Sequence, residues 1–133
     1  MTAKEQRVVI ITGSRNVDRL SPAVLEQLLN LGLGPRDVVL HGDCRGIDRL
    51  AAQLLRGNTY RPQLIACPAQ WAKGASAGPA RNRAMAEIAR QLECCGYTVE
   101  VLAFPAPESR GTRDMIAVAK RHGWEPVVYE VEP

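Results

Sequence analysis

The sequence lacks both of the short motifs by which phosphate-binding loops are most easily identified. Neither G-x-G-x-x-G nor G-x-x-x-x-G-K-[ST] occurs among its 133 residues, so hydride transfer on a standard dinucleotide fold and P-loop nucleotide hydrolysis both lose support. It has no apolar run approaching the ~20 residues that a membrane span needs. The first residues, MTAKEQR, contain no apolar leader, and we therefore expect a cytoplasmic chain with no membrane partner.

Cysteines and aromatic residues are also few. The four cysteines show no C-x-x-C spacing, which favours reduced thiols, and without a cluster of metal ligands we expect neither a metal nor a cofactor. Aromatic residues make up 5% of the chain, so few stacking platforms are available for single-stranded nucleic acid. A net charge of +3 is too small to indicate nucleic acid, which we do not expect as a partner.

The basic residues are unevenly divided between the two types. There are 14 arginines and 3 lysines, and the planar guanidinium group suits bidentate recognition of phosphate or carboxylate. A GC-rich genome would produce the same excess, so composition alone leaves both explanations open.

The hydrophobic pattern alternates between two periods along the chain. Five runs rich in Val, Ile or Leu predict strands at residues 7–12, 37–41, 63–67, 98–104 and 126–131. Helical spacing predicts helices at residues 22–31, 47–56, 79–94 and 112–122. Near-continuous apolar strands separated by helices indicate a parallel sheet covered on both faces. We therefore predict a single three-layer, Rossmann-like α/β domain over residues 1–133, with a mostly parallel five-stranded sheet and helices on both faces.

Glycines collect in the connections that lead from a predicted strand to the next helix, at the sheet edge where open α/β folds bind ligands. In TGSRN, residues 12–16, Gly13 permits a tight turn, and Ser14 and Arg15 offer donors suited to a phosphate. An ordinary turn with a solvated arginine is the alternative. In HGDCRGID, residues 41–48, Gly42 and Gly46 turn the backbone toward a helix N-terminus, whose amides attract anions.

The second of these connections also holds two aspartates. Asp43 follows a predicted strand, where its carboxylate could accept hydrogen bonds from a ribose diol or assist a reacting water. Asp48 has a simpler explanation, because an acidic residue in the first turn of a helix compensates the helix dipole.

The third connection, WAKGASAGPARNRAM, residues 71–85, is rich in small residues, among them Gly78. A helix that begins at Pro79 would carry Arg81 and Asn82 in its first turn. Cations are disfavoured at that end of a helix, so the arginine calls for an anionic partner. The alternative is an ion pair with a nearby carboxylate such as Glu87.

The fourth connection, PAPESRGTRDM, residues 105–115, predicts a capped helix start that could also hold a phosphate. Thr112 is the predicted N-cap and Asp114 falls in the predicted first turn. Ser109, Gly111 and Thr112 are the predicted phosphate contacts. Trp71, in the preceding connection, is a candidate for stacking on a base.

Four of these stretches resemble the SLOG superfamily of Rossmann-like nucleotide-binding domains, both in their order along the chain and in their positions between predicted strands and helices. The resemblance is greatest to the YspA branch of that superfamily, which is related to cpYpsA. The matching stretches are TGSR, HGDCRGIDRLA, QWAKGASAGPARNRAM and FPAPESRGTRDM, and together they span almost the whole chain. The resemblance implies that the chain senses or processes a nucleotide-like small molecule, such as a nucleoside monophosphate, ADP-ribose or an NAD-like ligand. Relatives often dimerise through helices, which leaves a homodimer open.

A second function is implied by the better understood Lonely Guy phosphoribohydrolases, which cleave the base from a nucleoside monophosphate. Their first sequence element is R-K-x-x-M. Arg81 and Met85 match this element, whereas Asn82 stands where its lysine would be.

Their second element is P-G-G-x-G-T-x-x-E. Gly111 and Thr112 match it, whereas the Gly-Gly pair is absent and Met115 occupies the place of the glutamate. Hydrolysis of an N-glycosidic bond wants a carboxylate near the sugar, so Asp114 or Asp43 would have to replace that glutamate. DNA-processing protein A, of the same superfamily, supplies a third alternative, a mediator that binds single-stranded DNA.

The prediction as a whole is a nucleotide site at the C-terminal edge of the sheet. It requires Arg15 and Arg81 to face one pocket. The predicted ligand contacts are Gly13, Ser14, Arg15, Gly42, Asp43, Gly46, Gly78, Arg81, Asn82, Ser109, Gly111 and Thr112, and the predicted catalytic candidates are Asp43 and Asp114.

Overall fold

Strands and helices alternate along the chain as the hydrophobic pattern predicts. The computed structural model describes residues 5–132; the ends of the predicted domain, residues 1–4 and 133, lie outside the described residues. The elements are β1 (Arg7–Gly13), α1 (Pro22–Leu29), β2 (Val38–His41), α2 (Ile47–Arg56), β3 (Gln63–Ala66), α3 (Ala77–Cys94), β4 (Thr98–Phe104), α4 (Arg110–Arg121) and β5 (Val127–Val128). A short 3₁₀ turn, Trp71–Lys73, precedes α3. No helix in the described part of the chain is long and apolar enough to cross a membrane.

The five strands form one sheet in the order β3-β2-β1-β4-β5. Every pairing among the described strands is parallel, so the sheet is wholly parallel where a mostly parallel one was predicted. The chain winds outward from β1 in both directions, first through β2 and β3 and then through β4 and β5. The fold is therefore an α/β Rossmann-like domain with its topological switch point between β1 and β4, where ligands bind in such folds.

The sheet buries both of its faces. On β1, Val8 and Ile10 belong to a core cluster that includes residues of α3 and α4. Val9 and Ile11 belong to a second cluster that includes residues of α1 and α2. All four side chains are at most 1% exposed, and each such buried side chain contributes about 1.5–3 kcal/mol of hydrophobic stabilisation.

Several predicted element boundaries were wrong, and two of these corrections affect the site. The third helix begins at Ala77 and the fourth at Arg110 with Ser109 as its N-cap, so Thr112 is inside the helix and does not cap it. At the sheet edge, β5 covers two residues where six were predicted. Beyond it the chain stays close to the sheet through the Tyr129 N–H, which donates to the Ala103 carbonyl.

Candidate ligand-binding site

A cavity of about 440 Å³ opens at the carboxyl edge of the sheet, and all four strand-to-helix connections contribute to its wall. Parallel strands bring these connections to one edge, which is why residues far apart in the sequence meet there. We call this space the edge cavity, and its lining is Thr12, Gly13, Arg15, Asn16, Cys44, Arg45, Asp48, Trp71, Ala75, Gly78, Pro79, Arg81, Glu108, Ser109, Arg110, Gly111, Thr112 and Asp114.

The structure brings together some of the predicted site residues and leaves others outside this lining. Arg15 and Arg81 both face the edge cavity, as the nucleotide-site prediction requires. The other predicted residues in the lining are Gly13, Gly78, Ser109, Gly111, Thr112 and Asp114. The predicted residues outside it are Ser14, Gly42, Asp43, Gly46 and Asn82.

Ser14 and Gly46 hold the first two connections against each other. Ser14 is 1% exposed, and its carbonyl accepts a hydrogen bond of 3.0 Å from the Ile47 N–H at the start of α2. Gly46 has a φ of +85°, and a Cβ at this position would collide with the Ser14 carbonyl oxygen. The role that the structure assigns to both residues is therefore to build the wall, in place of the phosphate contact predicted from the sequence.

Gly42 leaves room for the guanidinium group of Arg81. A Cβ on Gly42 would collide with Nη1 of that arginine. Nη1 donates to the Gly42 carbonyl at 2.8 Å and to the Cys67 carbonyl at 3.4 Å, while Nε donates to Oδ1 of Asn82 at 2.9 Å. Three acceptors therefore fix Arg81: two lie in the connections that follow β2 and β3, and the third lies on α3 itself. Its remaining nitrogen, Nη2, is 3.8 Å from the Cys44 sulfur.

Asn82 joins α3 to α4 and does not line the cavity. It is 2% exposed, and its Nδ2 donates to the Gly111 carbonyl at 3.1 Å and to Oδ2 of Asp114 at 2.9 Å. Because its Oδ1 is occupied by Arg81, every polar group of this side chain is used inside the protein. Asn82 positions Arg81 and Asp114, where the sequence prediction gave it a direct ligand contact.

The location of Arg81 differs from the predicted one, and so does its environment. Because α3 begins at Ala77, Arg81 lies in the second turn, where the helix dipole disfavours a cation less. The alternative partner is excluded as well, since Glu87 accepts a hydrogen bond from Gln91 and forms no ion pair with a described arginine.

Asp43 lies beside the cavity and interacts with its own connection. Its Oδ1 accepts a hydrogen bond from Nε of Arg49 at 3.3 Å, and its N–H donates to Nδ1 of His41 at 3.0 Å. Its φ of +54° lies in the left-handed region, which aspartate adopts more readily than most residues. Burial lowers the pKa of His41, so this histidine suits the role of a neutral hydrogen-bond acceptor.

Asp48 is the carboxylate at the floor of the cavity, and the sequence prediction gave it no ligand role. It is 4% exposed, and its Oδ2 accepts from the Gly42 N–H at 3.0 Å and more weakly from the Cys44 N–H at 3.5 Å. Its Oδ1 is buried without a hydrogen-bond partner among the described residues. Burial raises the pKa of the carboxyl to about 6, against the opposing effects of Arg81 and of backbone amides. The only sequence signal was an acid in a first turn, which the helix dipole also explains.

Trp71 and Arg15 stand together on the wall of the cavity. The Arg15 guanidinium carbon lies 4.6 Å from the centre of the Trp71 ring, a cation–π distance. A Cβ on Gly78 would lie 3.0 Å from the ring, so this glycine lets the indole approach the start of α3. Trp71 is 46% exposed, which leaves ring surface available to a ligand.

Four arginines line the edge cavity, and none of them forms an ion pair with a described carboxylate. Its four arginines are Arg15, Arg45, Arg81 and Arg110. The arginines in ion pairs within residues 5–132 are four others, Arg7, Arg49, Arg90 and Arg113. Unpaired arginines are ordinary on a protein surface. Here four arginines line one cavity together with the three carboxylates of Asp48, Glu108 and Asp114, so the positive charges exceed the negative ones by one.

The helices that begin at the edge cavity share a second property. None of α2, α3 and α4 has a side-chain hydrogen bond that caps its first turn. In α1, which contributes nothing to this cavity, the Ser21 hydroxyl accepts the Val24 N–H as a cap. Backbone carbonyls accept the first amides of these helices, those of Ile47, Ala77 and Arg110, whereas the N–H groups of Gly111 and Thr112 in α4 have no acceptor among the described residues.

A second cavity of about 730 Å³ lies on the α1 side of the sheet edge and shares Asn16 with the first. Its wall includes the rings of Phe104 and Tyr129, which stack with their centres 5.9 Å apart. Between the two cavities, Nδ2 of Asn16 donates to Glu108 at 3.2 Å.

Within residues 5–132, no three His, Cys, Asp or Glu side chains are grouped as the ligands of a metal ion. The four cysteines are free thiols, and burial raises the pKa of Cys67. No protein-family model, curated protein or solved structure matches this chain.

Proposed function

We propose that the edge cavity binds a nucleotide or a nucleotide-derived ligand, such as a nucleoside monophosphate, ADP-ribose or an NAD-like molecule, as a sensor or processing domain. The observation that carries this proposal is the set of four cavity arginines without a carboxylate partner among the described residues. A ligand with a phosphate supplies the missing negative charge. The guanidinium group is well shaped for it, because two parallel N–H donors match two phosphate oxygens.

The uncapped helices support the same ligand class. Gly111 and Thr112 lie in the first turn of α4 and line the cavity next to Arg110. Backbone amides in a first turn combine with the helix dipole to attract an anion. We place the phosphate here, beside the backbone amides of Gly111 and Thr112 and the side chain of Arg110.

The exposed face of Trp71 suits the base. Stacking of a base on an aromatic ring contributes about 1–3 kcal/mol and tolerates any base. Trp71 is on the same wall as Arg15, so a base over the indole would leave the rest of the cavity to the sugar and the phosphate.

Ligand-dependent thermal stability tests the proposal. A ligand that binds only the folded state at one hundred times its Kd stabilises it by about 2.7 kcal/mol, a shift of several degrees in a chain of this size. AMP, NAD and ADP-ribose are the probes, and adenosine is the control without phosphate. At least one of the three should raise Tm, and adenosine should raise it much less.

A matched pair of variants on α4 locates the effect. Arg110→Gln removes a cation from the cavity, whereas Arg121→Gln removes one from the other end of the same helix, outside the lining. We expect Arg110→Gln to weaken binding by about 10-fold or more, since hydrogen bonds to charged groups contribute about 1.5–3 kcal/mol. Arg121→Gln should bind as the unaltered protein does. Equal losses in both variants, or no shift with any probe, would contradict the proposal.

A second candidate function is hydrolysis of the N-glycosidic bond of a nucleoside monophosphate. The observation that favours it is a carboxylate in the cavity on the helix that carries the proposed phosphate contacts. Asp114 lines the cavity, and Asn82 holds its Oδ2 while no hydrogen bond occupies Oδ1 among the described residues. A carboxylate held in this way could stabilise an oxocarbenium-like state or align a water.

Release of free base is the test of this second function. The protein is incubated with the four common nucleoside monophosphates, and the products are separated by chromatography. Enzymatic release must disappear in Asp114→Asn while nucleotide binding persists. Binding without any base release would leave the chain as a ligand-binding module.

The third function, a mediator that binds single-stranded DNA, stays a prediction. A gel shift across a salt series checks it, because binding that depends on phosphate contacts weakens steeply with salt.

A further inference from the structure

Among the described residues of the cavity wall, one buried side-chain polar atom has no hydrogen-bond partner. It is Oδ1 of Asp48, which is buried and accepts no hydrogen bond in residues 5–132. The other oxygen of this carboxylate is fixed by the amides of Gly42 and Cys44, so the side chain cannot turn Oδ1 away without breaking those contacts. Leaving a buried acceptor unsatisfied costs about 1–3 kcal/mol, and more when the acceptor is charged.

The nearest cation does not supply the missing donor. Arg81 opposes the effect of burial on the Asp48 carboxyl through its charge, yet its Nη1 and Nε are directed to Gly42, Cys67 and Asn82. The two side chains form no ion pair within 4 Å. Backbone amides, including that of Gly13, also stabilise this carboxylate, yet no described residue donates a hydrogen bond to Oδ1. Because Asp48 lines the cavity, a ligand group in the cavity is the donor that Oδ1 lacks.

We propose that Asp48 binds a sugar hydroxyl of the ligand, so that the cavity selects ribonucleotides over nucleotides that lack this hydroxyl. This inference rests on the proposed nucleotide function. A carboxylate repels phosphate, which excludes the anionic end of the ligand from the floor of the cavity. The base belongs on Trp71, which is 46% exposed, whereas Asp48 is 4% exposed. In a nucleotide the sugar lies between the other two parts, and its hydroxyls are donors of the kind that Oδ1 requires.

Deoxynucleotides test the contact without any substitution in the protein. Affinities for AMP, 2′-deoxy-AMP, 3′-deoxy-AMP and IMP are measured by calorimetry at pH 7.5. One of the two deoxy analogues should bind about 10- to 100-fold more weakly than AMP, the effect of one hydrogen bond to a charged group. IMP, which lacks the exocyclic amine of the base, should bind within about threefold of AMP, because stacking on an aromatic ring is tolerant of the base.

The Asp48→Asn variant tests whether Asp48 is the residue that distinguishes AMP from its deoxy analogues. The asparagine oxygen can keep the amides of Gly42 and Cys44, which leaves a neutral NH₂ group facing the cavity. The deoxy effect should then fall about tenfold, to between about 2- and 10-fold, because a neutral hydrogen bond contributes only about 0.5–1.5 kcal/mol. Glu26→Gln, which removes an exposed carboxylate on α1 outside the lining, should keep the full effect.

The outcomes separate this inference from the proposed function. If none of the four nucleotides binds, the inference is refuted, and the proposed function fails with it only when NAD and ADP-ribose also leave Tm unchanged. If they bind and both deoxy analogues match AMP, the sugar contact is refuted and the nucleotide site stands. The inference is also refuted if IMP is the weakened ligand, or if Asp48→Asn keeps the deoxy effect unchanged.

Discussion

Replacing Asp48 with asparagine should stabilise the ligand-free protein at neutral pH and lose much of that effect in acid. Burial raises the pKa of this carboxyl from its ordinary value of 3.8 to about 6. Between these values the folded state holds a proton that the unfolded chain has released. The stability that this group contributes is therefore complete below pH 3.8 and is lost as the pH rises through 6. Asparagine has no charge to bury, so the variant avoids this loss.

The size of the effect follows from the displacement of the pKa. A shift of about two pKa units corresponds to about 3 kcal/mol at 25 °C. Integrated over pH, the destabilisation is about 3 kcal/mol at pH 7.5 and about 1 kcal/mol at pH 4.5, a difference of about 2 kcal/mol. The new NH₂ group offsets part of the gain, because a buried donor without an acceptor costs about 1–3 kcal/mol. That cost is the same at both pH values, so the difference of about 2 kcal/mol persists.

Urea unfolding at pH 7.5 and pH 4.5 measures this difference directly. The free energy of unfolding is determined for the unaltered protein, for Asp48→Asn and for Glu26→Gln, whose carboxylate is exposed on α1. The advantage of Asp48→Asn should be about 2 kcal/mol larger at pH 7.5, whereas Glu26→Gln should show almost no such dependence. An advantage that is equal at the two pH values, or larger at pH 4.5, would refute the assignment of Asp48 as a buried, ionising carboxyl.

Three further substitutions test the wall of the cavity. Gly46→Ala should destabilise the protein by more than about 2 kcal/mol in urea unfolding, since its φ is +85° and a Cβ would collide with the Ser14 carbonyl; a smaller loss would mean that the two connections are not locked. Gly111→Ala should raise the free energy of unfolding by about 0.5–1 kcal/mol, because a Cβ meets nothing within 4 Å in this helical position; a lower Tm would contradict this. Arg81→Lys should cost about 1–3 kcal/mol, because an ammonium group cannot reproduce a guanidinium fork bonded to Asn82 and two carbonyls; an unchanged unfolding midpoint would show that these bonds contribute little.

The fold could be predicted because a strand that is buried on both faces of a sheet is an unbroken run of apolar residues. Strand β1 reads RVVIITG, and after Arg7 it is buried throughout, so an apolar run marks it without any alternation. The edge strand β5 was overpredicted, because its residues are half exposed and their branched side chains indicate strand wherever they occur. The strand order was not predicted at all, since it depends on which helix covers which face.

Helix starts were harder to predict than helices. Both Thr112 and Ser109 have a side chain that can cap a helix, and the sequence favours Thr112 because Asp114 follows it closely. In the structure the helix starts at Arg110, and the Ser109 hydroxyl accepts the Ala106 N–H instead of capping a helical amide. This difference of two residues places Arg110, Gly111 and Thr112 inside the first turn of the helix.

The sequence predicted which strand-to-helix connections form the cavity, but it did not predict which of their side chains face it. Arg15 faces the cavity while its neighbour Ser14 is buried in the wall, and nothing in TGSRN distinguishes them. The same holds for the two aspartates of the second connection, where Asp43 turns to Arg49 and Asp48 faces the cavity. Side-chain direction in a turn depends on backbone angles, such as the positive φ of Asp43, that short sequence patterns do not specify.

The three helices that open onto the cavity without a side-chain cap have a consequence for how this rim behaves in solution. Local opening requires least free energy where few internal contacts are lost, so the Gly111 and Thr112 amide hydrogens at the start of α4, which no described residue accepts, should exchange with deuterium sooner than that of Val24 in α1, which Ser21 caps. A bound anion would cap the start of α4. The rate at which a protease cleaves the chain beside the edge cavity would then fall as the concentration of the anion rises.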